Sequence, residues 1–365
     1  MTLRIATAGE SHGPALVAIL TGLPAGLVLD RAAIDADLRR RQDGYGRSPR
    51  QQIETDEVEL LAGLRHGSTL GTPLALVVRN RDHKNWTWGM SPWPAEGDPQ
   101  GKGTKPVTLP RPGHADLPGV LKYDLEDVRN ALERASARHT AVHVAAGAVA
   151  KAMLGTIGVT VAGSTVDEEG LRARIDEARA ERDTVGGIVE IRAQGVPPGL
   201  GTYATKEERL DARLAAAVMG IQAVKGVEIG EGFALALKKG SEAHDEIGVD
   251  RRRSTNHAGG IEAGISNGEE IVVRAAMKPL PTLMKPLRSV DLATGEPAEA
   301  LVERSDVAAV EALAVVAEAA VAWELAVAAK EKFGGDAIGD FVAAWRAYLE
   351  RIAWPGPASG DLPLG

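Results

Sequence analysis

With 365 residues, 44% of them hydrophobic and 25% charged, the chain has material for a sizeable core in one large or two medium domains. The absence of cysteine excludes disulfides and thiolate chemistry, so any redox role must come from a cofactor, and a net charge of −8 argues against bulk affinity for nucleic acid. No uninterrupted apolar stretch reaches the ~18 residues of a membrane span, and Met1-Thr2-Leu3-Arg4 runs straight into a strand pattern. A cytoplasmic protein with neither membrane nor nucleic-acid partner is expected. Aromatic residues make up only 4% while Ala and Gly abound, which predicts a core of closely approaching helices with small side chains.

Thr2 to Thr7 alternates apolar and polar side chains, and Ala15 to Leu20 resumes an apolar run, so two strands flank the pentapeptide Gly9-Glu10-Ser11-His12-Gly13. That loop sets a hydroxyl, an imidazole and a carboxylate between glycines that let backbone approach a ligand. An ordinary hairpin whose Ser11 and His12 satisfy local backbone groups has the same pattern. Gly22-Leu23-Pro24-Ala25-Gly26-Leu27 then makes a Pro-Gly turn, and Asp30 is placed to cap a helix that ends in Arg39, Arg40 and Arg41. With Arg47 and Arg50 beyond Gly44-Tyr45-Gly46, these arginines could grip an anion, such as a phosphorylated or carboxylated small molecule, or could simply complement the helix dipole. Residues 84 to 105, with Trp86, Trp88, Trp93 and several prolines and glycines, read as a lid or a surface excursion.

Arg111-Pro112-Gly113-His114-Ala115-Asp116 puts a histidine on a rigid turn with an acid two residues on that could orient it, either as a proton donor or as a structural turn residue. His139 and His143 have the four-residue spacing of a shared metal on a helix, but no third ligand is signalled, and surface or interface histidines are favoured. Gln222-Ala223-Val224-Lys225-Gly226 and Ser254-Thr255-Asn256 could present amides and hydroxyls to a ligand. Lys278-Pro279-Leu280-Pro281-Thr282 is a stiff segment after a strand, weak as a signal by itself. No Walker loop and no dinucleotide-binding glycine pattern is present.

Three ordered matches point to an internal duplication. The Pro-Gly turn at 22–27 recurs as Gly195-Val196-Pro197-Pro198-Gly199-Leu200, with Thr205 and Glu208 as a capping box before the following helix. Ala62-Gly63-Leu64-Arg65-His66-Gly67 recurs as Ala263-Gly264-Ile265-Ser266-Asn267-Gly268, each leading into an apolar strand. Leu132-Glu133-Arg134-Ala135-Ser136 parallels Val302-Glu303-Arg304-Ser305-Asp306, each opening a long Ala-rich helix, over roughly 136–155 and 306–332. The expected fold is α+β and internally duplicated, with antiparallel sheets packed on central small-residue helices. One compact unit spans 1–353, its intertwined halves lying at about 1–160 and 185–333, and 354–365 forms a loose Pro/Gly-rich tail.

Three of these segments together resemble the chorismate synthase family: Gly9 to Gly13 running to Gly22-Leu23-Pro24; Glu133-Arg134-Ala135-Ser136-Ala137-Arg138 with its helix; and Arg304-Ser305-Asp306 with its helix through Glu318. Supporting matches are Arg40 to Arg47, Arg111 to Asp116, Ala216 to Gly226, and Lys278 to Thr282. The resemblance implies a β-α-β sandwich subunit in a homotetramer. It implies a lyase of the shikimate pathway, serving aromatic amino acid biosynthesis: reduced FMN is required while 5-enolpyruvylshikimate 3-phosphate loses phosphate and a ring proton to give chorismate. By position it makes His12 the general acid toward the departing phosphate, puts His114 at the flavin pyrimidine edge, and makes Asp306 a proton relay near flavin N5. Ser11, Arg41, Arg47, Arg111 and Arg138 would bind substrate, with Arg41 and Arg47 also linked to NADP(H). The flavin contacts implied are Arg134, Ala135, Ser136, Gln222, Ala223, Ala263, Lys278, Pro279, Leu280, Pro281, Thr282 and Arg304. Two departures stand out: His139 replaces a common glutamate, and Ala263 a frequent glycine. No reductase domain is recognisable, so a monofunctional enzyme fed by an external flavin reductant is expected, with NADPH as an indirect reductant. The alternatives are a flavin-binding, reductase-like protein without elimination activity and a polyanion-binding module built on Arg39 to Arg50.

Overall fold

The computed structural model describes residues 2–47, 55–302 and 306–353. Arg50, Arg304 and the 354–365 tail, each given a role or character above, lie outside the described residues. Strands β1 (Arg4–Ala8) and β2 (Ala15–Thr21) form an antiparallel pair around the Gly9 to Gly13 loop, with Ala6 opposite Ile19. Helix α1 (Arg31–Gln42) follows, then β3 (Val58–Ala62), the two-residue strands β4 (Leu64–Arg65) and β5 (Ser68–Thr69), and β6 (Leu74–Arg79). Helices α2 (Asp116–Tyr123) and α3 (Arg129–Ala135) lead into α4 (Thr140–Gly155). Next come β7 (Thr160–Thr165), α5 (Glu168–Glu181), β8 (Gly187–Gln194), α6 (Leu210–Met219), β9 (Val224–Ile229) and α7 (Gly240–Ala243). The chain continues through β10 (Ile261–Glu262), β11 (Ile265–Ser266) and β12 (Ile271–Met277) to α8 (Val310–Phe333) and α9 (Ile338–Ile352).

The fold is α+β. Two antiparallel four-stranded sheets run in the orders β1-β2-β6-β3 and β7-β8-β12-β9, so each places the strands of its half first, second, fourth, third. Alternation decides which face is buried: Leu16, Ala18 and Leu20 of β2 and Val189, Ile191 and Ala193 of β8 are inaccessible, while Ile19 and Ile188 face outward. Helix α4 packs on β2 and β6, α8 packs on β7, β8 and β12, and the two helices pack on one another. Small residues permit that contact, since a methyl group at Gly147 would overlap Ala319 of α8.

Matched hydrogen bonds tie the two Pro-Gly turns to their sheets. Thr69 Oγ1 donates to the Pro24 carbonyl (2.6 Å) and accepts from Leu27 N–H (3.0 Å). Ser266 Oγ does the same with the Pro197 carbonyl (2.7 Å) and Leu200 N–H (2.8 Å). Thr69 rather than Arg65 is thus the counterpart of Ser266, and the register expected for the second match is four residues out. The turns His66-Gly67 and Ala263-Gly264 occupy equivalent places, all four residues at positive φ.

Both long helices begin four residues later than expected, at Thr140 and Val310. Before α4, Ser136 caps a short 3-10 turn, Ala137–His139, by accepting from Arg138 N–H (3.3 Å). Asp30 caps α1 as expected, accepting from Ala32 N–H at 2.8 Å. The expected capping box does not form: Thr205 Oγ1 donates to Glu208 (2.8 Å), so the two side chains satisfy each other, and α6 starts at Leu210 behind Arg209.

Glu318 of α8 is buried and joins three layers. Arg40 of α1 donates to both its oxygens (2.9 and 2.8 Å), Lys151 of α4 to one (2.6 Å), and Gly163 N–H of β7 to the other (2.8 Å). Burial pushes the Glu318 carboxyl up, but hydrogen bonds and charge from Arg40 and Lys151 outweigh it and hold it below its ordinary value. A carboxyl depressed in the folded state contributes stability above its unfolded pKa, and that stability is lost as pH falls through the folded value. Glu318→Gln should therefore cost roughly 2–4 kcal/mol near pH 7, the lower part of the range for a broken buried pair because Arg40 is partly exposed. The deficit should shrink below about pH 4. Urea melts from pH 3 to 7 measure both, and equal stabilities at neutral pH would refute this role for the network.

Candidate active site

A cavity of about 530 Å³ lies where the first turns of α4 and α8 meet the β1–β2 loop and the Arg111 to Asp116 turn. Thr140 lines it from the start of α4, and Ala312, Leu313 and Val316 line it from α8. Its size suits a small-molecule ligand, and its lining mixes arginine, histidine and aliphatic groups.

His12 and Ser11 reach this cavity because the loop is strapped down behind them. Ser11 N–H donates to the Glu133 carbonyl (3.1 Å), and His12 N–H to Glu133 Oε2 (2.9 Å). His12 Nδ1 lies 2.9 and 3.0 Å from the two Glu133 oxygens. The imidazole stacks on Trp86, with ring centroids 4.0 Å apart and planes inclined by 22°. Trp86 is held in turn by its Nε1–H bond to Asp82 (2.9 Å). Burial raises the Asp82 carboxyl, but bonds from Asn85, Trp86 and Lys102 bring it down to about 2. The near end of the 84–105 excursion therefore forms the wall behind His12, whereas Trp93 is exposed.

His114 stands on the opposite turn, where Asp116 is fully buried and accepts a hydrogen bond from His114 Nδ1. Arg111 donates to Asp116 Oδ2 from its backbone N–H (3.0 Å) and Nε (2.8 Å), and to Thr282 Oγ1 from Nη1 (3.0 Å). Burial raises the Asp116 carboxyl, but His114 and Arg111 hold it well below the usual carboxylate range. Lys278 Nζ bonds the Gly113 carbonyl and so joins the 278–282 segment to this turn.

The remaining arginines are arranged around buried acids. Arg138 Nη1 meets both oxygens of Asp56 (2.6 and 2.7 Å), and Arg41 Nη1 meets one (3.2 Å) while its Nε donates to Thr140 (2.9 Å). Burial lowers Arg41 to about 10, so it remains a cation at neutral pH. Arg47 pairs with Asp306 (2.9 Å), while its buried Nε has no hydrogen-bond partner among the described residues. A buried, unsatisfied guanidinium N–H on a cavity wall marks the place for an anionic acceptor.

Ala135, Ser136, Gln222, Ala223, Leu280 and Pro281 also line the cavity. Ala223 has φ +70° and accepts from Lys278 N–H (3.0 Å), a left-handed residue at the wall. Leu280, Pro281, Ile221 and Leu313 provide apolar surface for a flat ring, with arginines available for an anionic tail. Arg134 is outside the lining, donating to the Gly9 (3.2 Å) and Thr7 (3.3 Å) carbonyls, and Pro279 is outside it between two lining residues. Ala263 occupies the β10–β11 turn, apart from the cavity.

His139 is likewise outside the lining. Its Nε2 lies 2.9 Å from Thr7 Oγ1 and 3.3 Å from His143 Nε2. Burial, then His143 and Arg134, lower it to about 4. The side chain at 139 therefore faces Thr7 and His143 rather than the cavity, between the lining residues Arg138 and Thr140. Sequence reasoning missed Asp56, Asn80 and the partnership of Glu133 with His12. Asn80 joins the loop carbonyls of Glu10 (3.0 Å) and Gly13 (2.8 Å) to Arg138 Nε (2.9 Å). Glu133 was in view as part of a motif, but its partner is 121 positions away.

The family model described as chorismate synthase matches residues 3–329. A chorismate synthase of Geobacter sulfurreducens is 52% identical, aligned over 96% of this chain and 99% of the relative. One of Symbiobacterium thermophilum is 51% identical over 96% and 100%. A solved crystal structure of chorismate synthase superposes with a TM-score of 0.76 at 36% identity, covering 96% of this chain and 98% of that one.

Inorganic phosphate should raise the melting temperature of the protein by occupying the site beside Arg47. Arg47→Gln should weaken its apparent Kd roughly 10-fold or more, as loss of a charged hydrogen bond worth about 1.5–3 kcal/mol predicts. An unchanged Kd in a thermal-shift titration would remove Arg47 from the anion site.

Proposed function

The chain belongs to the chorismate synthase family, and from that premise we propose how its own residues carry out the family's reaction. The protein is a lyase: 5-enolpyruvylshikimate 3-phosphate loses phosphate and one ring proton, giving chorismate with no net redox change, in the presence of reduced flavin. The observation that carries the residue assignment is the convergence of His12, His114, Asp306 and four arginines on one cavity.

The substrate is strongly anionic, and Arg41, Arg47, Arg111 and Arg138 are its clamp, with Ser11 beside them. His12 protonates the departing phosphate, a poor leaving group until it is protonated or clamped. His114 would hold a bound flavin from its turn, and Asp306 would move a proton on the flavin side of the cavity. FMN is the flavin proposed; the apolar surface of Leu280, Pro281, Ile221 and Leu313 suits its ring, and the unsatisfied Arg47 Nε suits an anion. Bound reduced flavin would supply transient electron density to the reacting ring. Contacts from Arg134 to Ser136, Gln222, Ala223 and Lys278 to Thr282 are assigned to it, together with Arg304, and with Ala263 if an assembled neighbour brings that turn close.

The same reading includes a β-α-β sandwich built from two copies of one unit, supported by the common strand order and the matched Thr69 and Ser266 bonds. A homotetramer is supported by the exposed apolar side chains Phe233, Leu237, Ile247 and Val249. A cytoplasmic location is supported by α8: it is long and apolar enough to cross a membrane, yet 83% of that stretch is buried in the fold. Flavin reduced elsewhere, with NADPH as the indirect source, completes the scheme.

Anaerobic incubation with reduced FMN and the substrate should release chorismate and phosphate in equal amounts, and absence of both would overturn the proposal. His12→Ala and His114→Ala should each lower kcat by roughly 100-fold or more with unchanged far-ultraviolet circular dichroism. Near-normal turnover in both would refute the roles given to them.

A further inference from the structure

We infer that Glu133 is a positioning residue for His12: it fixes the imidazole with a proton on Nδ1, so that Nε2 is the ring nitrogen that serves the phosphate. Glu133 is 2% exposed, and its carboxylate meets the His12 ring and its backbone N–H together, at 2.9–3.0 Å. A carboxylate only accepts hydrogen bonds, so the nitrogen it faces must carry the hydrogen. The ring's face is fixed by Trp86, and the Arg129 guanidinium also lies over that indole, 5.0 Å from the ring centroid. Arg129 lies one helical turn before Glu133, and its Nη1 stands 3.5 Å from Glu133 Oε1, so one short helix supplies both the orienting acid and the backing cation. His83 Nδ1 lies 2.9 Å from the His12 carbonyl and fixes the backbone on the remaining side.

A buried carboxylate is costly unless its bonds need the charge, and a neutral amide of the same shape could still accept from the backbone N–H. The charge is therefore suited to the ring. When the phosphate C–O bond breaks, the proton on Nε2 passes to the leaving oxygen, the bonding pair stays with that oxygen, and His12 returns to the neutral Nδ1–H form that Glu133 holds. This inference rests on His12 being the proton donor proposed above.

The test compares Glu133→Gln, Glu133→Asp and His12→Ala with the parent in full-length, flavin-loaded protein, adding ¹⁵N-histidine NMR of the flavin-free form. The His12 signals are identified by their loss in His12→Ala. Glu133→Gln should lower kcat about 100-fold or more while KM and FMN affinity stay within about threefold, and should change the ¹⁵N pattern of His12. Glu133→Asp should recover part of kcat and keep the Nδ1–H pattern. A prop for the loop alone would instead raise KM and weaken FMN binding with no change in that pattern, which would overturn the inference. So would a fully active Glu133→Gln beside an inactive His12→Ala, leaving the role of His12 intact. An active His12→Ala would overturn both. Should Glu133→Gln fail to fold, Glu133→Asp with parent-like kcat and a lost Nδ1–H pattern would also refute it.

Discussion

The contact between α4 and α8 is the constraint on which the rest of the molecule depends. The two helices approach closely because Gly147 offers no side chain to Ala319, and each spends its outer face on a different sheet. The starts of both helices consequently meet at one place, where Thr140 and Leu313 share a cavity wall. Helix starts carry unsatisfied N–H groups and the positive end of the macrodipole, so the architecture favours anions there before any arginine is counted. Glu318 secures the arrangement from the other side. It ties α8 to α4 through Lys151 and to α1 through Arg40, the neighbour in sequence of the cavity residue Arg41.

Concentrating arginines around a cavity is unfavourable without compensation, and the fold supplies a carboxylate for each pair or single cation. Asp56 serves Arg41 and Arg138, Asp116 serves Arg111, and Asp306 serves Arg47. These acids balance the guanidinium charges and aim the side chains, as a preorganised anion site requires. They also give the site its own geometry, because Asp116 reaches His114 as well as Arg111. The acids that hold the arginines and the acids that orient the histidines are thus partly the same residues.

Patterns confined to a few residues were legible in the sequence: the hairpin around His12, the Asp30 cap, both Pro-Gly turns and both Ala-rich helices. The helix starts were misplaced by four residues because Ser136 signals a cap, yet the turn it caps is a 3-10 turn. The second repeat was misregistered because Arg65-His66-Gly67 resembles Ser266-Asn267-Gly268 in order, while the equivalence that matters is a side-chain bond to a proline carbonyl. Asp56, Asn80 and the partnership of Glu133 with His12 were illegible because each acts across a long separation in the chain, and a single sequence carries no periodic trace of such pairs. The motif residues themselves were readable from family resemblance. Of their mutual contacts, the local one between His114 and Asp116 was readable, and the long-range ones were not.

Two sheets of like strand order offer two antiparallel strand pairs in equivalent positions, and the connection of the first meets the cavity. In the first half, β1 and β2 are joined by the short loop that carries His12; in the second, β7 and β8 are joined through α5, whose charged face is largely exposed. A six-residue connection can be held rigid by Glu133, Asn80 and Trp86, whereas an inserted helix carries the chain away from the sheet edge. The second half contributes differently, through Gln222 and Ala223 before β9, Lys278 to Thr282 after β12, and Asp306 before α8. The two sheets share a strand order, and the unequal lengths of their first connections account for why the first sheet brings His12 to the cavity while the second brings no equivalent residue from its own.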